Sequence, residues 1–188
     1  MILPIVAFGA SILRTKCDDI TPDYPELKTL LANMWETMYQ ANGVGLAAPQ
    51  INKDIRLFLI DTSPFNDDDE ENAKKEVVVK KTFINARIVE EKGDEWSFNE
   101  GCLSIPEIRE DIIRKSTIII EYLDENFKKH IDTFDGIIAR VIQHEYDHVN
   151  GVLFIDKLSA LRKRMIKGKL LDIRKGKVNV SYKMQFIK

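Results

Sequence analysis

The sequence predicts an α+β fold in which short, mostly antiparallel strands pack around one central helix. Three observations carry this. Many brief β-branched runs are separated by turn residues, among them Ile55–Ile60, Val77–Val79, Phe83–Ile84, Arg87–Val89 and Trp96–Phe98. Strong helical periodicity is confined to few stretches. The strands do not alternate regularly with helices, which argues against a doubly wound sheet. The 188 residues form one expected domain over 1–188, long enough for a sizeable core.

The elements follow in order. Residues 1–20 read as an extended arm, with Cys17 as a small apolar residue in it. From Pro25 to Ala41, Leu27, Leu30, Leu31, Met34, Trp35 and Met38 recur at helical spacing, with Asp23 as the candidate cap and Asn42-Gly43 as the stop. Gly43-Val44-Gly45-Leu46-Ala47-Ala48-Pro49-Gln50 has little side-chain bulk, so another chain can approach its backbone. It lacks the spacing and lysine of a phosphate loop. Asp67 to Glu71 with Lys74 and Lys75 form a solvated charged loop without calcium-loop spacing. Ser116–Leu123 and Phe127–Phe134 read as a hairpin, with His130 facing solvent. A helix opens at Asp135-Gly136 and closes at Asn150-Gly151. Leu153–Ile155 is a short strand, Leu161–Ile173 a basic helix, and Val178–Tyr182 a terminal strand.

The helix after Gly136 carries Gln143-His144-Glu145-Tyr146-Asp147-His148. At 3.6 residues per turn, a four-residue step advances about 40° past a full turn, so both imidazoles leave one face and can grip one metal ion. Glu145 lies about 100° round the axis, placed to move a proton of water at that ion. Ile137 and Val141 share the stripe, which points into a core where imidazoles need partners. The third ligand separates the classes. Two zinc-protease completions fail: Phe154 stands where a further histidine would fall, and no glutamate follows Glu145. Cys102 is the remaining soft donor outside the N-terminal segment.

Composition bounds the rest. No apolar run reaches the roughly 18–20 residues that span a membrane. Two cysteines and no secretory pattern suit a reduced setting. Residues 157–188 hold 11 Lys and Arg against one acid, whereas residues 1–156 hold 17 basic and 29 acidic residues. Such a basic tail suits either a solvated face or a polyanion such as ribosomal RNA.

Gly43–Gln50, Glu100-Gly101-Cys102-Leu103-Ser104 and Gln143–His148 together resemble the three signature motifs of the peptide deformylases, in the same order and separation. The resemblance implies removal of the formyl group from N-terminal formylmethionine, with formate as product. It implies that Cys102, His144 and His148 hold one divalent ion. That ion is Fe2+ in cells, with Zn2+, Ni2+ or Co2+ as alternatives. Glu145 is the expected base, and Gln50 and the Leu103 N–H the oxyanion donors. Substrate contacts are expected from Val44, Gly45 and Arg109, with Phe98, Ile137 and Val141 as the methionine pocket. Glu100 is expected to orient a ligand, and Asp147 to be a helix surface charge. The implied partners are N-formylmethionyl nascent peptides, with transient ribosome contact and neither DNA nor membrane. The implied setting is a bacterial-type cytoplasm, with an organelle as the alternative. Competing readings are a metal-dependent peptidase and a metal-bound binding module.

Overall fold

The computed structural model describes residues 1–66 and 77–187, so the acidic loop of the sequence reading lies outside the described residues. In chain order come β1 (Ile5–Val6), α1 (Leu27–Gln40), β2 (Gly45–Ala47), β3 (Leu57–Asp61), β4 (Lys80–Cys102), β5 (Ile105–Leu123), β6 (Lys129–Asp135), α2 (Gly136–Val149), α3 (Ala160–Arg174) and β7 (Met184–Gln185). Strands β2 to β6 form one antiparallel sheet in sequence order, and β1 pairs with β7 in parallel.

Strand β3 shows how the layers are arranged. It is buried throughout, and successive side chains leave on opposite faces. Leu57 and Leu59 meet the α1 side chains Leu30, Leu31, Met34 and Met38. Phe58 and Ile60 meet Ile137, Ile138, Val141 and Ile142 of α2. Helix α2 is thus central, pressed to one face of the sheet with α1 on the other. Phe58 stacks on Phe83 with centroids 4.8 Å apart. Each such buried ring stabilises the fold by roughly 1.5–3 kcal/mol. A third cluster joins β5 to α3 through Ile108, Ile112, Ile166 and Ile173.

Several local expectations are corrected. The separate strands expected between Phe83 and Phe98 are one 23-residue strand, with register shifts where it bends. Val77 and Val78 are exposed and outside it. The segment from Phe154 is a 3₁₀ turn (Phe154–Lys157), fixed by Asp156 accepting from the Leu153 N–H at 2.8 Å. Val178–Tyr182 is not a strand; pairing with β1 falls at Met184 and Gln185. Asp23 does not cap α1. Pro25 holds the preceding residue away from helix, Tyr24 turns back on Thr21 at 3.0 Å, and the helix starts only after Glu26, whose φ is 52°. At the far end Asn42 takes the left-handed turn, with φ 54°. His130 is not free in solvent: its Nε2 lies 2.8 Å from Asp124 Oδ2 and its ring stacks on Tyr122. The N-terminal arm is mostly packed, with Ile5, Val6, Ala7 and Leu13 buried.

Candidate metal centre

Strands β4 and β5 are joined by the two-residue turn Leu103-Ser104, which puts Cys102 opposite Ile105. The turn lies beside α2, so Cys102 Sγ stands 3.2 Å from His148 Nε2. One donor atom from each of Cys102, His144 and His148 lies within 4.8 Å of the others. The imidazoles cross at 76°, edge to face, with centroids 5.2 Å apart. A thiolate and two imidazoles with a carboxylate alongside are the donor set of a site with three protein ligands and one open position. The residues present therefore fit a divalent ion.

The surroundings fix these groups. Glu100 Oε2 accepts from His144 Nδ1 at 2.8 Å, which leaves Nε2 for the ion. The same carboxylate accepts from Arg114 Nε and Nη2 at 2.7 and 2.9 Å and from Arg140 Nη1 at 2.9 Å. Burial opposes the charge on Glu100, but the bonds from His144 and Arg114 prevail and hold its carboxyl far below the usual range. Glu145 is equally buried yet lacks such donors, and its Oε2 has no partner among the described residues. Burial raises its carboxyl to about 7; His144 lowers it and Glu100 raises it to smaller extents. Gln50 is held by the Ala47 N–H, bonded to its Oε1 at 2.8 Å. Its Nε2 points to Cys102 Sγ at 3.6 Å and Ser104 Oγ at 3.3 Å.

Above these groups opens a cavity of about 460 Å3. Gln50, Cys102, Leu103, His144 and Glu145 line it. Val44 and Gly45 border it along β2, an edge strand paired on one side only. Gly45 is required by contact: a Cβ there would lie 2.7 Å from Glu145 Cδ. Phe98 and Val141 form part of the wall, and Arg109 sits exposed at the rim, its Nε donating to Asn99 Oδ1 at 2.9 Å. Ile137 does not line the cavity; it is buried in the core beside Val141.

Three residues escaped the sequence reading, and a fourth, Asp147, is corrected. Arg140 interrupts the stripe taken as apolar, one turn before His144. It is 1% exposed, stacks on Trp96 at 4.4 Å and lines the cavity. A lone arginine on an otherwise apolar helix face was the available signal. Arg114 is buried in the alternation of β5. Asp147 is not a plain surface charge: it accepts from Arg114 Nη1 at 2.7 Å and lies 3.4 Å from Lys157 Nζ. Tyr182 lines the cavity and donates to the Leu103 carbonyl at 2.7 Å. Nothing in its local sequence announces this.

Comparison with known proteins agrees with the geometry. Residues 2–164 match the family model described as polypeptide deformylase. A peptide deformylase of Christiangramia forsetii is 59% identical over 99% of this chain and 96% of its own. One of Flavobacterium johnsoniae is 58% identical over the same shares. The crystal structure of a peptide deformylase from Legionella pneumophila superposes with a TM-score of 0.80 at 34% identity, covering 94% of this chain and 98% of that one. With its three motifs gathered around one cavity and this likeness over nearly its whole length, the chain belongs to the peptide deformylase family of hydrolytic enzymes.

Proposed function

We propose that residues 1–188 act as one catalytic domain that removes the formyl group from N-terminal formylmethionine of newly made polypeptides and releases formate. The observation that carries this reading is the convergence of Cys102, His144 and His148 beside the unpartnered Glu145 oxygen. When bound, a divalent ion at these three residues makes water available in ionised form near neutral pH. Glu145 takes the proton of the attacking water and returns it to the departing amine. Gln50 Nε2 and the Leu103 N–H donate to the oxygen that gains charge as the carbonyl is attacked. Loss of one such donor raises the barrier by about 2.7–4 kcal/mol.

The peptide adds as a strand along the open edge of β2, beside Val44 and Gly45. Phe98 and Val141 receive the methionine side chain. Ile137 supports Val141 from behind, in place of the direct contact expected from the sequence. Arg109 meets the peptide at the rim. The donor set accommodates Zn2+, Ni2+ and Co2+ as well, and ferrous iron is the ion in the cell on this reading. No helix among the described residues is long and apolar enough to cross a membrane. The proposed setting is the bacterial cytoplasm.

The test is formate release from formyl-Met-Ala-Ser with and without a chelator. No release by the metal-loaded protein, or release untouched by metal stripping, overturns the reading. Metal analysis of anaerobically purified protein identifies the ion. Transient ribosome contact is part of the proposal. Arg162 of α3 is engaged with Glu110 at 2.7 Å, while Arg164, Lys167 and Lys169 face solvent. Salt-sensitive co-sedimentation with ribosomes is expected, lost when these three become alanine.

A further inference from the structure

The turn that carries Cys102 and the Leu103 N–H is held from three sides. Phe8 N–H donates to the Ser104 carbonyl at 2.8 Å. Gln50 Nε2 donates to Ser104 Oγ at 3.3 Å. The third hold comes from Tyr182, whose hydroxyl donates to the Leu103 carbonyl at 2.7 Å. The match to the family model ends at residue 164, so this contact comes from beyond the stretch that carries the signature motifs.

The segment that delivers Tyr182 is itself anchored. It leaves α3 through Gly176, with φ 72°, and the Lys177 N–H returns to the Asp172 carbonyl at 2.8 Å. The carbonyl of the neighbouring Lys183 then accepts from Ile5 N–H at 2.9 Å, and that of Gln185 from Ala7 N–H at 2.9 Å. Tyr182 is therefore placed by main-chain pairing with β1, and β1 continues into Phe8, which grips Ser104. Across the turn, the Leu103 side chain is wedged against Gly43, where a Cβ would lie 2.8 Å from Leu103 Cδ1. With the side chain wedged and the carbonyl bonded, residue 103 has little freedom to rotate, and the direction of its N–H is set.

We propose that Tyr182 is a positioning residue for deformylation: its hydroxyl locks Leu103 so that the Leu103 N–H aims at the developing oxyanion. This rests on the deformylase reading above. The hydroxyl touches no reacting atom, so its effect falls on kcat for any formylated substrate, whatever the peptide length.

The experiment uses the metal-loaded full chain and Tyr182→Phe, which removes one oxygen and keeps the ring. Formylmethionine amide and formyl-Met-Ala-Ser are both assayed. Amide hydrogen exchange is followed over residues 102–105. The expected result is a fall in kcat of about tenfold on both substrates, the scale of a small misplacement in a catalytic site. KM stays within about twofold, and exchange in the turn quickens while the melting temperature holds. Unchanged kcat and exchange overturn the proposal. So does a rise in KM confined to the tripeptide, which would make Tyr182 a peptide contact. A lowered melting temperature with kcat intact would make it structural and also overturns it. If the parent enzyme releases no formate, the deformylase reading fails, and the positioning role built on it is overturned with it. Exchange then still shows separately whether Tyr182 holds the turn.

Discussion

Two carboxylates flank His144 in regions with the same burial and opposite chemistry. Glu100 and Glu145 are each 4% exposed, so desolvation alone would raise both. Below His144, four donor contacts from His144, Arg114 and Arg140 converge on Glu100 and keep it ionised. Beside the cavity, Glu145 is left with an oxygen unpartnered among the described residues and rises to about 7. On the proposed function, one group holds a ligand in place, while the other exchanges a proton. The difference lies in the neighbours each backbone position supplies, since residue type and exposure are shared.

Substitutions break or sharpen this contrast. The largest effect is expected for Glu145→Ala: turnover falls on the order of 10^2–10^4-fold, while metal content is retained. Formate assay and metal analysis of the same sample check it; parent-like turnover removes Glu145 from the mechanism. Glu100→Gln acts through structure instead. It leaves Arg140 with carbonyl partners alone and Arg114 with only the Asp147 carboxylate, so stability falls by about 3–5 kcal/mol. Metal affinity falls by about 10–100-fold as His144 loses its orienting partner. Urea unfolding and chelator competition measure the two, and a variant unaltered in both would show that the carboxylate's charge is dispensable.

Gly45→Ala probes the Glu145 side more gently. The added methyl group meets the carboxylate, so turnover falls by about tenfold and crowding lowers stability by about 1–3 kcal/mol. The smallest effect belongs to Asp147→Asn at the outer end of the Glu100 network. Arg114 keeps both bonds to Glu100, so the loss is about 1.5 kcal/mol or less, and turnover stays within about twofold. A larger loss of turnover would extend the ligand-holding network out to the surface.

The candidate donor group is legible because its spacing is local on α2 and its third donor sits in a distinctive turn. The network behind it was hidden by the same sheet register that builds it. In β5 the inward positions are Ile108, Glu110, Ile112 and Arg114, so two charges occupy what an apolar alternation would fill. Both are matched from elsewhere, Glu110 by Arg162 and Arg114 by Glu100. One pairing crosses to the neighbouring strand and the other to a helix 52 residues on, so neither leaves a local mark. Strand β4 looked broken because Glu90 to Glu95 is charged and exposed, whereas its pairing with β5 is backbone-made. Main-chain hydrogen bonds do not require an apolar face. The β7 pairing was misplaced for a related reason: two residues against β1 are too few to set a pattern.

Cys102 and His148 are 46 residues apart in the chain. A copy still being synthesised therefore offers a single donor until α2 has been made and has docked against the β4–β5 turn. On the proposed function, assembly of a competent centre is consequently a late event in the synthesis of each molecule, and an unfinished chain carries a bare thiol in place of a complete donor set.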